Sequence, residues 1–397
     1  MGGVASGVPN GWRYEGPAEL LRQPRALALN SAQSKTPVGD DTWVQATVAA
    51  VADAARQGYT VIVSEDPMPW GLALHCALEA GASVLLIAPG RSREALATEY
   101  GCPAGRIGAL RPVTRPVSTK QGWRLRDSAA WELADVVIPV SLRPASRWMP
   151  LLVGAASAGK WLDQRFAVPY VPGCWDSAPV AMPEPPAGGA RSWLTHWTRR
   201  CHGAWPGETA RDFFAAVLAS GDAYPRSAPA TLRRILAEQL LRPSAFRSAG
   251  GHAVVSFTAA DPCTIHRSFR WCARKVAPMW EPYGIAISRA VAWERGIRPV
   301  TYGHDPAVPA WLRHGGGPFT GEAEWRALGP LDLSMLPQGS WCAVVPTRGA
   351  TAAVTAQFAV PAVPWAEFAC GTIQGAVAGA GPVSAADRET IEAALAP

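Results

Sequence analysis

Short apolar runs alternate with amphipathic segments over the first part of the chain. The apolar runs cover residues 25–32, 60–66, 83–90, 135–142 and 165–170. The segments between them, such as Thr42–Gln57 and Trp70–Ala80, repeat apolar residues at the spacing that is typical of helices. Strands of near-continuous apolar character indicate a parallel sheet that is covered on both faces. The pattern therefore predicts an α/β domain over residues 20–170, with helices on both faces of a parallel sheet.

The pattern changes after this domain. Residues 171–192 hold five Pro and three Gly, a composition that predicts a linker or a long surface loop. Residues 193–241 are expected to be mostly helical, and strands are expected at 252–258, 283–288, 298–303 and 340–347. A C-terminal helix is predicted after residue 384. Residues 193–397 therefore read as a helical segment followed by an α+β domain whose core covers 230–347.

Composition narrows the class of protein. Hydrophobic residues make up 48% of the chain and charged residues 17%, which is enough apolar material for a folded core. Apolar stretches stay shorter than the roughly 18 residues that a membrane-spanning helix needs, and the first residues lack a signal-peptide pattern. The eight cysteines are scattered without a CxxC pair, so we expect reduced thiols and a cytoplasmic protein without a membrane partner. No metal site is predicted.

The net charge of +6 is spread along the chain, without a basic tail or a run of Lys and Arg. Nucleic-acid binding is therefore permitted but not indicated by charge alone. The sequence is compatible with a homo-oligomer and does not fix the oligomeric state.

Small polar and charged residues follow three of the predicted strands. The candidate ligand residues at these strand ends are Asn30, Ser31, Ser34, Lys35, Ser64, Glu65, Pro89, Gly90 and Arg91. Because the carboxyl ends of parallel strands share one edge of the sheet, these residues predict a crevice for a nucleotide or a nucleic-acid phosphate. Two observations leave the alternative of ordinary turn residues open. Asp40 and Asp41 compete for the positive end of the following helix, and neither GxGxxG nor a P-loop occurs.

The segment ALALNSAQSK, the string GYTVIVSEDPMPWGLALHCALEAGASVLLIAPG and the later strand ADVVIPVS occur in this order. This arrangement resembles the Rossmann-like domain of the DNA-processing protein A family and the wider SLOG superfamily. The resemblance implies a Rossmann-like sheet over about 25–170 that binds a phosphate or a nucleotide after its first and second strands. The family's usual Gly-Ser-Arg after the first strand reads Asn30-Ser31-Ala32 here, and a usual Gly after the second reads Glu65.

The strings HAVVSFT, YGIAIS, RPVTYG and EAEWRAL follow one another over residues 230–347. They resemble segments of abortive-infection (phage-resistance) proteins, some of which are similar to ADP-ribosyltransferases. This resemblance implies NAD or another nucleotide as cofactor, and a carboxylate that stabilises an oxocarbenium-like centre. The catalytic candidates it suggests are Glu322, Glu324, His252, Tyr283 and Arg326.

Strand spacing would place Glu322 and Glu324 on the same face. The structural alternative is that Arg326 pairs with one of these carboxylates, that Tyr283 belongs to the core and that His252 is a polar residue at a strand end.

Three functional hypotheses follow. The first is a defence or stress-response protein in which a nucleotide- or nucleic-acid-sensing domain is coupled to an effector, with NAD-dependent ADP-ribosyl transfer as one candidate activity. The second is a non-enzymatic DNA-binding protein related to the recombination mediator DNA-processing protein A. The third is a regulator whose C-terminal domain only contacts a partner.

Overall fold

The computed structural model describes residues 8–113, 120–172, 192–245, 249–269, 271–272, 277–278, 280–303, 305–314 and 320–371. The chain divides into two compact units. The first unit is Met1–Gly173 with Thr209–Pro225, and the second unit is Cys174–Glu208 with Arg226–Pro397. The predicted helix after residue 384 lies outside the described residues.

The first unit is built on a seven-stranded sheet. Its strands are β1 (Trp12–Glu15), β2 (Arg25–Asn30), β3 (Thr60–Val63), β4 (Val84–Ile87), β5 (Ile107–Pro112), β6 (Val136–Ser141) and β7 (Trp161–Leu162). Its helices are α1 (Glu19–Arg22), α2 (Thr42–Arg56), α3 (Met68–Glu79), α4 (Arg93–Tyr100), α5 (Lys120–Leu133), α6 (Trp148–Val153) and α7 (Ala210–Leu218). The strand order is β1-β5-β4-β3-β2-β6-β7, and the edge strand β1 alone runs antiparallel within this sheet. The predicted Rossmann-like class is confirmed.

The apolar runs become strands because they are buried on both faces. Every residue of β3 and β4 is buried, as are five of the six residues of β2. Leucines and isoleucines of these strands form one core with the inner faces of α5 and α6. Burying such side chains contributes about 1.5–3 kcal/mol each, which outweighs weak local preferences.

Three local predictions differ from the structure. Strand β5 was not predicted because its run IGALRP is interrupted by Gly108 and ends in Arg and Pro. That glycine is required because a Cβ atom there would lie 2.7 Å from the Tyr14 hydroxyl. The edge strand β1 falls in what the pattern reads as an irregular lead-in. The predicted strand at 165–170 is irregular, and the short β7 pairs with β6 instead.

Helix α7 belongs to the first unit although the sequence places it after the linker. Its Phe213 and Phe214 are buried, and the Phe214 ring lies 5.8 Å from the His75 ring of α3. Helix α3 is buried from Pro69 to Leu78, so it needs apolar cover on the side away from the sheet. This need explains why residues 209–225 join the first unit rather than the predicted C-terminal domain.

The second unit contains a second seven-stranded sheet, in the order β14-β17-β10-β8-β13-β19-β20. The strands of this unit are β8 (Trp193–Trp197), β9 (Leu240–Leu241), β10 (Val254–Thr258), β11 (Trp271–Cys272), β12 (Ala277–Pro278), β13 (Gly284–Ser288), β14 (Arg298–Pro299), β15 (Thr301–Tyr302), β16 (Arg313–His314), β17 (Glu324–Leu328), β18 (Leu331–Asp332), β19 (Trp341–Val345) and β20 (Ala362–Pro364). Its helices are α8 (Ala228–Glu238), α9 (Pro262–His266), α10 (Arg289–Glu294), α11 (Arg348–Phe358) and α12 (Trp365–Ala369). Within this sheet the pairs are antiparallel except for β19 with β20.

The prediction of a helix at the start of this unit was wrong. Trp193–Trp197 forms the central strand β8, because its side chains alternate between two apolar layers. Leu194 belongs to the core that contains α8 and α10, whereas Trp193 and Trp197 pack into an aromatic layer with Trp365 on the other face. A period of two residues is the signature of a strand and not of a helix.

None of the helices in the described part of the chain combines the length and the apolarity that a bilayer span needs.

Candidate functional site

The strand order of the first sheet reverses between β2 and β6. The chain runs outward from β2 through β3, β4 and β5, and then returns to add β6 on the other side of β2. In open α/β sheets, ligands bind at the carboxyl ends of the strands next to such a switch point. This crevice is therefore the place where a Rossmann-like unit is expected to bind a ligand.

The carboxyl ends of β2 and β6 are tied together by backbone and side-chain contacts. The Ser31 N–H donates to the Ser141 carbonyl oxygen at 2.8 Å, and the Ser31 Oγ accepts from the Arg143 N–H at 2.9 Å. The pairing register shifts between Leu29 and Asn30. Such an irregularity re-aims the side chains that follow it.

A cavity of about 260 Å³ lies at this switch point. Its lining residues come from the segment after β2, the start of α2, the end of β6 and the segment before residue 172. They are Gln33, Lys35, Asp40, Asp41, Thr42, Trp43, Ser141, Pro169 and Val171. The cavity thus combines polar side chains with an apolar wall.

Three buried polar atoms at this site have no hydrogen-bond partner within the described structure. They are the Ser141 Oγ, the Trp43 Nε1 and the Asn30 Oδ1, in side chains that are only 1%, 4% and 8% exposed. Ser141 and Trp43 line the cavity directly. An unpaired buried polar atom costs about 1–3 kcal/mol, so three at one place mark a site that a guest molecule or water completes.

The orientation of Asn30 is set by a short chain of hydrogen bonds. The Asn30 Nδ2 donates to the Thr47 Oγ1 at 3.0 Å, and the Thr47 hydroxyl donates to the Trp43 carbonyl oxygen at 2.6 Å. Because Thr47 uses its proton on Trp43, it can only accept from Asn30. The Asn30 Oδ1 is therefore the atom left to act as an acceptor.

Charge at the start of α2 is balanced locally. Lys35 forms an ion pair with Asp41, whose other carboxylate oxygen accepts from the Val38 N–H at 3.1 Å. Asp41 is buried and stands at the N-cap of α2. The positive end of this helix therefore already faces a carboxylate.

An exposed cation, Arg143, contacts residues next in sequence to the cavity lining without lining the cavity itself, and this place is called the rim below. The Arg143 guanidinium lies 5.4 Å from the centre of the Tyr170 ring and donates to the Ala32 carbonyl oxygen at 3.3 Å. The Ser34 hydroxyl donates to the Val171 carbonyl oxygen at 3.0 Å, which holds the segment before residue 172 against the crevice.

The other predicted ligand residues form a separate cluster at the ends of β3 and β4. Arg91 pairs with Glu65 at 3.4 Å and also with Glu99, so its charge is already neutralised. The Pro89 carbonyl oxygen accepts a hydrogen bond from the Arg111 guanidinium at 3.1 Å. Because Gly90 has no side chain, the Glu65 carboxylate can approach its backbone closely. Ser64 is buried, and none of Ser64, Glu65, Pro89, Gly90 and Arg91 lines the cavity.

The structure thus brings Asn30, Ser31, Ser34 and Lys35 to the switch point and leaves the other five predicted residues outside it. Sequence reasoning missed Ser141 and Trp43. Ser141 ends the apolar strand ADVVIPVS, so the pattern that selected Ser31 and Ser64 could also have selected it.

In the second unit, Glu324 and Arg326 form an internal ion pair. The Arg326 Nε and Nη2 atoms lie 2.8 and 3.0 Å from the two Glu324 carboxylate oxygens. The Arg326 Nη1 donates to the carbonyl oxygens of Trp311 and Arg313, and Ser256 donates to Glu324 at 2.8 Å. Arg326 is buried, so this pair fastens the segment around residues 311–313 to the sheet.

Glu322 and Glu324 do not share a strand, which corrects the predicted spacing. Glu322 ends a 3-10 turn at Thr320–Glu322, and strand β17 begins only at Glu324. Between them Ala323 adopts a left-handed conformation with φ of 44°, which interrupts the extended chain.

Tyr283 and His252 lie away from Glu324. Tyr283 precedes β13, three strands across the sheet from β17, which puts it roughly 17 Å from Glu324 by strand spacing and rise. Burial raises the pKa of Tyr283, whose ring packs against the core. His252 is exposed and lies beyond the opposite end of the β10–β17 pair. Of the five catalytic candidates, Glu324 and Arg326 are in direct contact, and Tyr283 and His252 lie away from them.

Within the described ranges, no group of three or more His, Cys, Asp and Glu side chains is placed to hold a metal ion. The fold and the crevice define this chain's first unit as a Rossmann-like α/β unit with a switch-point cavity.

Comparison with known proteins adds structural neighbours. No protein-family model matches the chain, and no curated protein matches it. The chain is similar to the structure of DNA processing protein A from Helicobacter pylori, described for its single-stranded DNA binding mode. The identity is 15% over 42% of this chain and 80% of that chain, and the TM-score is 0.32.

Two further structures are similar. DNA processing protein A from Streptococcus pneumoniae matches at 14% identity, over 38% of this chain and 53% of that chain, with a TM-score of 0.30. The Moco carrier protein from Chlamydomonas rheinhardtii matches at 16% identity, over 36% of this chain and 74% of that chain, with a TM-score of 0.25. Likeness at this level assigns no ligand or activity to this chain. DNA processing protein A recurs among these three structures, none of which bears on the abortive-infection resemblance.

Proposed function

We propose that the first unit is a nucleotide-binding unit that uses the switch-point cavity. The observation that carries this proposal is the grouping of three unpartnered buried polar atoms, on Ser141, Trp43 and Asn30, at one strand switch point.

The chemistry of these atoms fits a nucleotide. The Trp43 Nε1 can only donate, the Asn30 Oδ1 can only accept, and the Ser141 hydroxyl can do both. Sugar hydroxyls and base edges offer this mixture of donors and acceptors. Pro169 and Val171 add the apolar wall that a base or a sugar face needs. At about 260 Å³ the cavity lies just below the range of about 300–1,000 Å³ that is typical of small-molecule sites, so we expect it to hold no more than a single nucleoside.

Replacing Ser141 by alanine should weaken nucleotide binding roughly three- to tenfold. The substitution removes one hydrogen bond of about 1 kcal/mol and leaves the cavity otherwise unchanged. Isothermal titration calorimetry with the common nucleoside 5′-monophosphates measures the effect.

Ser64→Ala is the matched control, because Ser64 is also buried at the carboxyl end of a strand, β3, which lies two strands from β6, and does not line the cavity. Equal affinity of wild type and Ser141→Ala for a bound monophosphate would count against the site, as would the absence of any binding by the wild type.

A second candidate function, nucleic-acid binding, is favoured by a separate surface. The α5–α6 face consists of Trp123, Leu125, Met149 and Leu151, which are all exposed, together with Arg124 and with Arg147, which forms an ion pair with the buried Asp127. The Arg147 Nη2 donates to the Trp123 carbonyl oxygen at 3.4 Å, so the residue before α6 contacts α5 at Trp123. An exposed aromatic ring beside arginines, as Trp123 is here, is a usual stacking partner for a base of single-stranded nucleic acid.

The α5–α6 face predicts that Trp123→Ala lowers affinity for a 20-nucleotide oligo(dT) about tenfold, because one base loses its stacking partner. Fluorescence anisotropy at several salt concentrations measures it, and Arg124→Gln should flatten the salt dependence. Trp161→Ala serves as control, since Trp161 is an exposed tryptophan on the edge strand β7. If Trp161→Ala and Trp123→Ala weaken binding equally, this face is not the binding surface.

The defence role, the effector role of the second unit and NAD-dependent transfer stay predictions. The internal ion pair of Glu324 with Arg326 favours a structural role for these two residues.

A further inference from the structure

We propose that the nucleotide lies in the switch-point cavity with its nucleoside inward and its phosphate outward, against Arg143 on the rim. This inference rests on the proposed nucleotide-binding function and specifies which part of the ligand each end of the site takes.

The first argument is the charge at the inner end of the cavity. A helix N-terminus ordinarily attracts phosphate, because its free N–H groups and its dipole are positive. At α2 the N-cap residue Asp41 places a buried carboxylate beside this end, with Asp40 next to it in the sequence and Lys35 as its paired cation, although the carboxylate accepts no hydrogen bond from the helix N–H groups. The cavity lining therefore carries one formal positive charge and two negative charges. A phosphate placed there would face a carboxylate in a partly desolvated site, which is unfavourable.

The second argument is the match between the inner groups and a neutral ligand. Asp41 lines the cavity, and its carboxylate oxygens can accept further hydrogen bonds, which suits sugar hydroxyls or an exocyclic base amine. The Trp43 Nε1 and the Ser141 hydroxyl donate to ring nitrogens or hydroxyl oxygens. A nucleoside can satisfy these groups without bringing a charge into the cavity.

The third argument is the cation at the rim. The Arg143 backbone N–H bonds the Ser31 Oγ, so this residue is fixed at the carboxyl end of β6, two positions after Ser141. Its exposed guanidinium contacts the Ala32 carbonyl oxygen and the Tyr170 hydroxyl, both at 3.3 Å. No carboxylate of the described residues forms an ion pair with it, in contrast to Arg91, whose charge is taken by Glu65 and Glu99. A phosphate at the rim would supply the missing counter-charge in a bidentate geometry.

The experiment compares nucleosides, their 5′-monophosphates and inorganic phosphate as ligands of the full chain in calorimetric titrations and competition. We expect the wild type to bind a nucleoside and its monophosphate at one site, from which inorganic phosphate does not displace the nucleoside. Arg143→Gln should weaken binding of the monophosphate about five- to tenfold and leave binding of the nucleoside unchanged. Asp41→Asn should weaken binding of the nucleoside and binding of the monophosphate about tenfold each.

The opposite orientation gives opposite results. If phosphate sits on the α2 N-terminus, Asp41→Asn will strengthen monophosphate binding, because it removes a repulsion. Inorganic phosphate will then compete with the monophosphate. Either result overturns the inference while leaving the proposed function intact, whereas a wild type that binds neither nucleosides nor monophosphates removes both.

Two further variants, Lys35→Gln and Arg106→Gln, serve as a substitute for Asp41→Asn and as a control. Asp41→Asn loses an ion pair, so its thermal unfolding is measured beside that of the wild type. If it unfolds, Lys35→Gln decides instead: a phosphate on α2 would bind about five- to tenfold more weakly, whereas the proposed orientation predicts that nucleoside and monophosphate affinities change by the same factor. Arg106→Gln is the matched arginine control, because Arg106 immediately precedes β5, at the amino end of that strand, and bonds the Gly81 carbonyl oxygen.

Discussion

Replacing Arg326 by methionine is expected to lower the free energy of unfolding of the second unit by about 3–5 kcal/mol. The substitution leaves the Glu324 carboxylate without its bidentate partner and frees the two carbonyl oxygens, of Trp311 and Arg313, that Arg326 bonds. Breaking a buried ion pair by removing one partner has this magnitude, because the remaining charge stays uncompensated. Denaturant unfolding followed by tryptophan fluorescence measures the loss.

The matched control is Arg348→Met, which breaks an exposed Arg–Glu pair with Glu367 in the same unit. Exposed pairs contribute about 0–1 kcal/mol, so this variant should unfold almost as the wild type does. Equal stability of Arg326→Met and Arg348→Met would show that the buried pair is not a structural fastening. The catalytic interpretation of Glu324 would then regain support.

Replacing Gly71 by valine should destabilise the first unit by about 3 kcal/mol. A Cβ atom at Gly71 would lie 2.7 Å from the Phe214 ring and 2.9 Å from the Glu65 carbonyl oxygen. Overpacking of this kind typically costs about 1–3 kcal/mol, and a β-branched side chain with a backbone atom as its neighbour has little room to adapt. Chemical denaturation measures the stability, and limited proteolysis should show earlier cleavage within residues 209–225.

Gly105→Val is the control, because no atom lies within 4 Å of a Cβ built on Gly105. Its stability should stay within about 0.5 kcal/mol of the wild type. Wild-type stability of Gly71→Val would mean that α7 does not pack tightly on α3.

The first unit could be predicted from sequence largely because its strands are continuous apolar runs. Such runs are buried on both faces whatever their neighbours, so pattern alone identifies β2, β3, β4 and β6. The glycine-containing β5 has no such signal, because its partner Tyr14 lies far away in the sequence. The sequence pattern predicts a helix where the central strand β8 lies, because the alternation in this strand is short and every second residue is a tryptophan or a threonine.

The candidate site was predicted in part. Residues after β2 were found, because a strand end followed by small polar residues is a local signal. Ser141 and Trp43 were missed, because only the strand order places β6 beside β2. Arg91 was expected to be free for a phosphate, and no sequence pattern shows that Glu65 and Glu99 meet it in space. For the same reason one residue, Ala323 in a left-handed conformation, was enough to separate the two glutamates of the catalytic hypothesis.

The return of α7 to the first unit has a consequence for the gene. The codons for α7, the helix that covers α3, follow the codons for the first segment of the second unit. The coding sequence therefore passes from one unit to the other more than once. A gene fusion that joined only residues 1–172 to another coding sequence would deliver a sheet whose third helix lacks its apolar cover. Moving the complete first unit into another gene would therefore require the codons of residues 209–225 as well as those of residues 1–173.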